Sequence, residues 1–593
     1  TGTPSFVDLR QQEDGSFPVN PYASSNPLQT AALAENTEDV WRTIASADLT
    51  FEAFSSRQHS VNLLLNGGVD YFSQKNNVFS PGELQFEPLD GNTGTTFQGN
   101  ATSLNLNYTA SLVHRLTPTS GLFSATTSLG VQIEDREIDI MRVVNEDLIP
   151  GQRNIDAGTS PGVFQQQTSV KDRGIFAQEE LLLLDERLLL VGGIRMDRSS
   201  NNADTEEYFT YPKLAASYRF PELLPGKIDE LKIRTAWGQT GNQPQFGQKF
   251  SNLNVGNMSG LQTLRISTTT AAIDLRPERQ REIEAGLDLT LLDRRGILEV
   301  TYFDRKLTDL LLNRALPPSS GYNSAIFNGG VMQSKGWELA LQAVPFQSDN
   351  HSWNSRITFS TVDATIEELP VPPFAAGGFG TALGGFQIAN GKSPTQIVGR
   401  DTVAVANDPR CDGPCAVGDR ILATIGDANP DFRMGFSNEF RRGNLSLYGL
   451  IDWQKGGDVV NLTGWLLDLS RNAADYTDAC TASTCVAGES LGEYRARVYP
   501  GRVSTIWVED ASFVKLREVT LGYDVPQELV NRFWDNARHL RFNLSGRNLL
   551  TFTDYTGMDP EVSNFGQQAI GRNVDVAPYP PSRSFWLSVD IGF

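Results

Sequence analysis

Four cysteines carry the most direct chemical suggestion in this 593-residue chain. Cys411 and Cys415 lie in RCDGPC, and Cys480 and Cys485 in ACTASTC, both within polar stretches. An even number of closely spaced cysteines in such segments predicts two loop disulfides, Cys411–Cys415 and Cys480–Cys485, formed in an oxidising compartment. A structural zinc site is the competing reading. The spacings are wider than C-x2-C and no histidine is adjacent, which favours the disulfides. Asp408, Asp412 and Asp419 flank the first pair and carry the oxygen ligands that calcium takes; their spacing matches no EF-hand, and a solvated acidic loop is the plainer reading. No other cofactor is expected. The four histidines, His59, His114, His351 and His539, are scattered near what read as inner strand ends. The chain has no G-x-S-x-G elbow and no H-E-x-x-H pair, so nothing predicts an enzyme. Two further sets of polar residues recur at a spacing of two between apolar neighbours: Glu282, Glu284 and Asp288, and Arg541, Asn543 and Arg547.

That spacing belongs to β-strands, and it dominates the chain. In 103–112, Leu104, Leu106, Tyr108, Ala110 and Leu112 alternate with Ser103, Asn105, Asn107, Thr109 and Ser111. In 61–71, Val61, Leu63, Leu65, Val69 and Tyr71 oppose Asn62, Asn66 and Asp70. The final segment sets Phe585, Leu587, Val589, Ile591 and Phe593 against Ser584, Trp586, Ser588, Asp590 and Gly592. No apolar run approaches the roughly 18 residues of a transmembrane helix. The strands read as 10–15 residues or so, closer to the length that crosses a bilayer than to the 5–6 of soluble sheets. Short connections (118–121, 185–186, 293–296, 441–444) alternate with long ones (242–278, 370–430, 461–502), as in outer-membrane proteins with short periplasmic turns and long external loops.

The physical cause is the demand of hydrocarbon that every backbone polar group be paired, which permits a closed sheet and no open edge. The fold expected is therefore all-β, a large antiparallel transmembrane β-barrel with lipid outside and a watery lumen within. About 17 strands are counted of a probable 22, the number in large plugged transporters. Residues 1–39 read as an external loop and 40–593 as the barrel, with long external loops at about 370–430 and 461–502. An odd count, with the first strand at 40–54, predicts that upstream strands and a plug are absent from this chain. The polar residues at 282, 284, 288, 541, 543 and 547 then face the lumen, where plug contact and solvation are their simplest roles. In FVKLREVTLGY (513–523) the apolar parity slips between Leu516 and Val519. A β-bulge there would keep both apolar sets towards lipid, with Lys515 and Arg517 inward. Trp465 and Tyr476 in the loops suit either ligand stacking or packing.

Lys and Arg total 50 against 70 Asp and Glu, a net charge of −20, which argues against a nucleic-acid partner. Several segments resemble signature stretches of the SusC/RagA-like TonB-dependent outer-membrane receptors: LKIRTAWGQTGNQP (231–244), LRPERQREIEAGLDLTLLDRR (275–295), LEVTYFDRKLTDLLL (298–312) and NGGVMQSKGWELAL (328–341). GDANPDFRMGFSNEF (426–440), FVKLREVTLGYDVP (513–526), LRFNLSGRNLLTFTDYTGMDPE (540–561) and PPSRSFWLSVDIGF (580–593) complete the series. The resemblance implies a bacterial outer-membrane location and uptake of a large nutrient, an oligosaccharide or peptide. It also implies coupling to TonB through a plug and TonB box, a SusD-like surface lipoprotein as partner, and a terminal Phe593 read as an assembly signal. The alternatives are a plugless passive pore or structural barrel, and a barrel enzyme.

Overall fold

The computed structural model describes residues 3–258, 261–411, 414–481, 484–499, 503–534, 536–561, 563, 570–579 and 581–593. One antiparallel sheet of 17 strands runs through nearly the whole chain. In order the strands are β1 (Glu35–Ser55), β2 (His59–Pro81), β3 (Gly94–Leu116), β4 (Phe123–Glu146), β5 (Ser160–Leu183) and β6 (Leu188–Ser199). Next come β7 (Phe209–Leu224), β8 (Ile228–Asn242), β9 (Glu278–Leu291), β10 (Gly296–Thr308), β11 (Val331–Gln347) and β12 (His351–Glu368). β13 (Pro430–Arg442), β14 (Leu445–Gly456), β15 (Phe513–Asp524), β16 (His539–Phe552) and β17 (Ser584–Gly592) finish the sheet. Each strand pairs with its successor in a continuous meander. Among the described residues, β1 pairs only with β2 and β17 only with β16.

The count agrees with the sequence reading, whereas the start does not. β1 begins at Glu35, before the expected residue 40, and a short helix, Pro27–Leu33, capped by the Asn26 side chain, precedes it. The residues before β1 lie among the long loops: Ser5 N donates to Asn472 Oδ1 and Asn472 Nδ2 to the Thr3 carbonyl. Helix propensity in PLQTAAL was hidden behind its turn-rich flanks.

Cross-strand register turns the alternation into two faces. Leu63, Leu65, Val69 and Tyr71 of β2 stand opposite Leu112, Ala110, Leu106 and Leu104 of β3, so one face is apolar across the pair. Along β17, Phe585, Leu587, Val589 and Ile591 stand opposite Gly546, Leu544, Phe542 and Leu540 of β16 and continue the apolar face. No helix among the described residues is long and apolar enough to cross a membrane. The bulge foreseen in β15 is present: Leu516 pairs with Ile451 but Glu518 with Leu450, leaving Arg517 as the extra residue. Connections alternate as expected, the ends of β1, β3, β5, β7, β9, β11 and β13 turning within a few residues. The exception is the β15–β16 connection, at the short-turn end, which carries a helix, Gln527–Phe533. β4 and β5 each run for 24 residues, about twice what a bilayer crossing needs.

Candidate functional site

The polar face of the sheet is laced by charges on successive strands. Glu282 on β9 pairs with Arg305 on β10 (2.9 Å), and Asp288 with Arg234 (3.0 Å) and Lys232 (3.3 Å) on β8. Arg547 on β16 reaches Glu518 on β15 (3.2 Å), Arg541 donates to Ser446 and Asn543, and Asn543 donates to Asp590 on β17. The six residues expected to face the lumen therefore share one face of the sheet, in two groups separated by β10–β15. Between the groups lies a cavity of about 490 Å³, lined in part by Arg234, Glu284, Glu299, Glu338, Arg433 and Asp452. Glu284, Glu299 and Glu338 form no salt bridge with any described residue. The charged part of the lining is thus mainly acidic, and Leu339, Phe359 and Met434 supply the apolar part.

At the long-loop end, three connections build a body with its own core. Phe386 and Ile397 come from 369–429, Val460, Leu462, Tyr499 and Trp507 from 457–512, and Val574 from 553–583; none exceeds 6% exposure. Burying such side chains supplies roughly 1.5–3 kcal/mol each, enough to fix loops that secondary structure alone would not hold. A four-stranded sheet (Phe374–Gly378, Gly385–Ile388, Gln396–Thr402, Arg420–Asp427) packs beside two helices, Leu462–Leu469 and Leu491–Val498. Asn461 caps the first helix by accepting from Gly464 N, and Ser490 with Glu493 forms a capping box on the second.

One arginine ties the body together. Arg495 binds Asp468 (2.7 Å) and Asp475 (2.6 Å) while lying 5.2 Å over the ring of Trp507. Burial drives the Asp468 carboxyl above its ordinary value despite Arg495, whereas the hydrogen bond from Arg495 holds Asp475 below its own. The Tyr499 hydroxyl donates to the Leu383 carbonyl (2.8 Å), and burial pushes its pKa up. Trp465 packs edge-on against Tyr499, and Tyr476 lies against Gly492, so both aromatics serve the loop core. Cys411 is bonded to Cys415 and Cys480 to Cys485. Arg410 binds the carboxylates of Asp408 (2.7 Å) and Asp401 (2.6 Å), and Asp419 accepts from Ala416 N. Asp412 lies outside the described residues; among those described, no cluster of three metal-ligating side chains forms.

The body is pinned to the inner face of the wall. Lys515, 4% exposed on β15, donates to both oxygens of Asp559 (2.6 and 2.7 Å) and to Glu561, residues of the 553–583 connection. Arg517, displaced by the bulge, joins Glu561 (2.7 Å) to Asp452 on β14 (2.6 Å). Burial opposes ionisation of Glu561, but the hydrogen bonds from Arg517 and Lys515 outweigh it, leaving the carboxyl below its usual range. Sequence reasoning placed Lys515 and Arg517 inward and missed their acidic partners. A signal existed: Lys515 lies in FVKLREVTLGYDVP and Asp559 in LLTFTDYTGMDPE, two of the family-like stretches. The histidines hold one surprise. His59 Nδ1 and His114 Nε2 meet at 3.1 Å, with near-parallel rings, at the short-turn end of β2 and β3. Phe593 follows β17 and is 73% exposed.

Known proteins share this design. The family described as TonB dependent receptor-like, beta-barrel matches residues 2–413. TonB-dependent receptor P3 of Formosa agariphila is 28% identical over 442 residues, covering 67% of this chain and 43% of that protein. TonB-dependent receptor SusC of Bacteroides thetaiotaomicron is 23% identical, covering 69% and 42% respectively. The chain thus spans less than half the length of either receptor. Among solved structures, that of the RagAB peptide transporter superposes with a TM-score of 0.76 at 16% identity, over 98% of this chain and 66% of that one. The family is one of transporters rather than enzymes. The chain belongs to the TonB-dependent receptor-like β-barrel family of the bacterial outer membrane, and it is similar to the SusC and RagA members of that family.

Proposed function

We propose that this chain forms most of the wall and outer mouth of a receptor that imports a large nutrient, an oligosaccharide or peptide, at the expense of TonB-transmitted energy. The observation that carries this reading is the folded loop body, pinned by Lys515 and Arg517 to the polar face of the sheet, the face that carries the acidic cavity. A simple diffusion pore has no use for a structured obstruction with its own core; a receptor that must hold cargo before moving it does. In this reading, residues beyond these 593 complete the sheet to about 22 strands around a plug bearing the TonB box. The six inner-face residues contact that plug and the water beside it. A SusD-like lipoprotein covers the mouth, the two disulfides stiffen the outer loops, and Phe593 serves as the terminal signal for barrel assembly.

Uptake of fluorescently labelled oligosaccharide and peptide libraries by cells carrying the complete receptor tests the proposal. Accumulation should require both an energised inner membrane and TonB. Uptake that persists without TonB, together with steady ion conductance in planar bilayers, would overturn it in favour of a passive pore.

A further inference from the structure

On the apolar face of the sheet, Glu179 is an acidic side chain that no described residue pairs with and that borders an apolar groove. Register places Glu179 of β5 opposite Gly192 of β6, which in turn stands opposite Leu214 of β7, Trp237 of β8 and Ile283 of β9. Those partners are the lipid-facing row. Because Gly192 has no side chain, the row dips there into a groove of about 580 Å³, walled by Leu181, Leu190, Leu214, Trp237 and Ile283, with Glu179 at its edge. Glu179 takes part in no hydrogen bond or ion pair among the described residues. Two other carboxylates on this face are matched: Asp135 binds Arg173 at 2.7 Å and Asp304 faces Lys335 at 3.8 Å.

Depth sharpens the contrast. Glu179 is four residues from the short-turn end of β5 at Leu183. At about 3.3 Å per residue and a 45° tilt, its carboxyl stands roughly 9 Å above that end, with Leu181 and Leu183 apolar beneath it. With Leu183 set at the aqueous surface, headgroup regions about 5–8 Å deep put Glu179 where lipid headgroups give way to acyl chains. An ionisable group on such a surface is costly unless a partner of opposite charge reaches it.

We propose that the groove is a binding site for an aminophospholipid of the leaflet at the short-turn end. One acyl chain lies along Leu190, Leu214 and Trp237, and the headgroup ammonium donates to Glu179. The occupant follows from the surface itself: lipid must cover an outward face, the groove is apolar, and its one charged group is an anion that no described residue pairs with. A phosphatidylethanolamine carries the N–H donors required; phosphatidylcholine is cationic without them, and phosphatidylglycerol lacks the cation.

Native mass spectrometry of the full receptor, extracted in detergent and exposed to these three lipids with identical chains, tests the site. Wild type should retain phosphatidylethanolamine about tenfold over phosphatidylglycerol, a preference of the size one charge-assisted hydrogen bond gives, with phosphatidylcholine falling between. Glu179→Gln should abolish the preference. That variant removes a charge from the lipid face, so it should still assemble, which a heat-modifiability gel verifies. Gly192→Leu is the second variant: a Cβ there meets only Leu214 Cδ2 at 3.6 Å, so the backbone tolerates it while the groove fills. It should lower retention of every lipid. Equal retention of phosphatidylethanolamine by wild type and Glu179→Gln, or equal retention of the three lipids by wild type, overturns the proposal. So does a stoichiometric protein whose co-isolation depends on Glu179, which would assign the carboxylate to a neighbouring polypeptide.

Discussion

Replacing Lys515 by Met asks how firmly the loop body is held to the wall. The side chain is 5% exposed and both Asp559 oxygens lie within 2.7 Å of Nζ. Methionine keeps the length and the packing against Phe513, whose ring lies 4.9 Å from Nζ. What is lost is the only cation paired with Asp559 among the described residues, Asp559 itself being 7% exposed on its side chain. Stranding a buried charge costs about 3–5 kcal/mol. The lower end applies, because Glu561 keeps Arg517 and Asp559 still accepts from Glu561 N at 2.8 Å. A cost of about 3 kcal/mol shifts the pinned-to-released ratio of the 553–583 connection roughly a hundredfold. Hydrogen exchange of that connection reads the shift directly, with the wall strands as internal control. Lys515→Met with Asp559→Leu removes both charges and should recover most of the protection. Unchanged exchange in the single variant, or no recovery in the double, refutes the reasoning.

Protease added to intact cells should nick within 370–430 or 461–502 and spare the turns at 293–296 and 441–444; the reverse pattern would invert the orientation. Leu587→Arg should lower stability by about 2–4 kcal/mol if its site is near the bilayer midplane, measured by unfolding in vesicles, and Ser588→Arg on the opposite face by much less. Acid should loosen the Leu491–Val498 helix. The hydrogen bond from Arg497 and one from Val486 N hold Glu489 at about 2 against an ordinary 4.5, so its contribution is complete above 4.5 and vanishes as pH falls towards 2. Amide exchange in that helix, measured from pH 6 to 2, should lose protection within that window, and Glu489→Gln should remove the dependence.

The wall was legible because each strand's burial pattern is set by its own two environments, apolar on one side and aqueous on the other. That is why 17 strands, the common polar face of 282–288 and 541–547, and the bulge beside Leu516 could be read from alternation alone. The loops obey no such rule. Arg495 meets Asp468 and Asp475 across a turn between helices, and Lys515 meets Asp559 across 44 residues of chain. No period announces those contacts, because they depend on how three connections fold together. The His59–His114 contact was missed for a related reason: it depends on the β2–β3 register, which hydrophobicity fixes only to the face.

The length of β4 and β5 has a consequence of its own. Twenty-four residues, tilted near 45°, rise about 55 Å, while the apolar band of such a protein is about 25 Å tall. The upper half of this wall therefore stands free of the bilayer as a palisade, and its outward residues change to match: Asp135, Glu137 and Asp139 follow Leu129, Val131 and Ile133 along β4. The flank of the palisade is as open to water as its rim. A surface-tethered protein or a long polymer could therefore approach the entrance from the side, far above the lipid, without first crossing the crowded plane of the membrane.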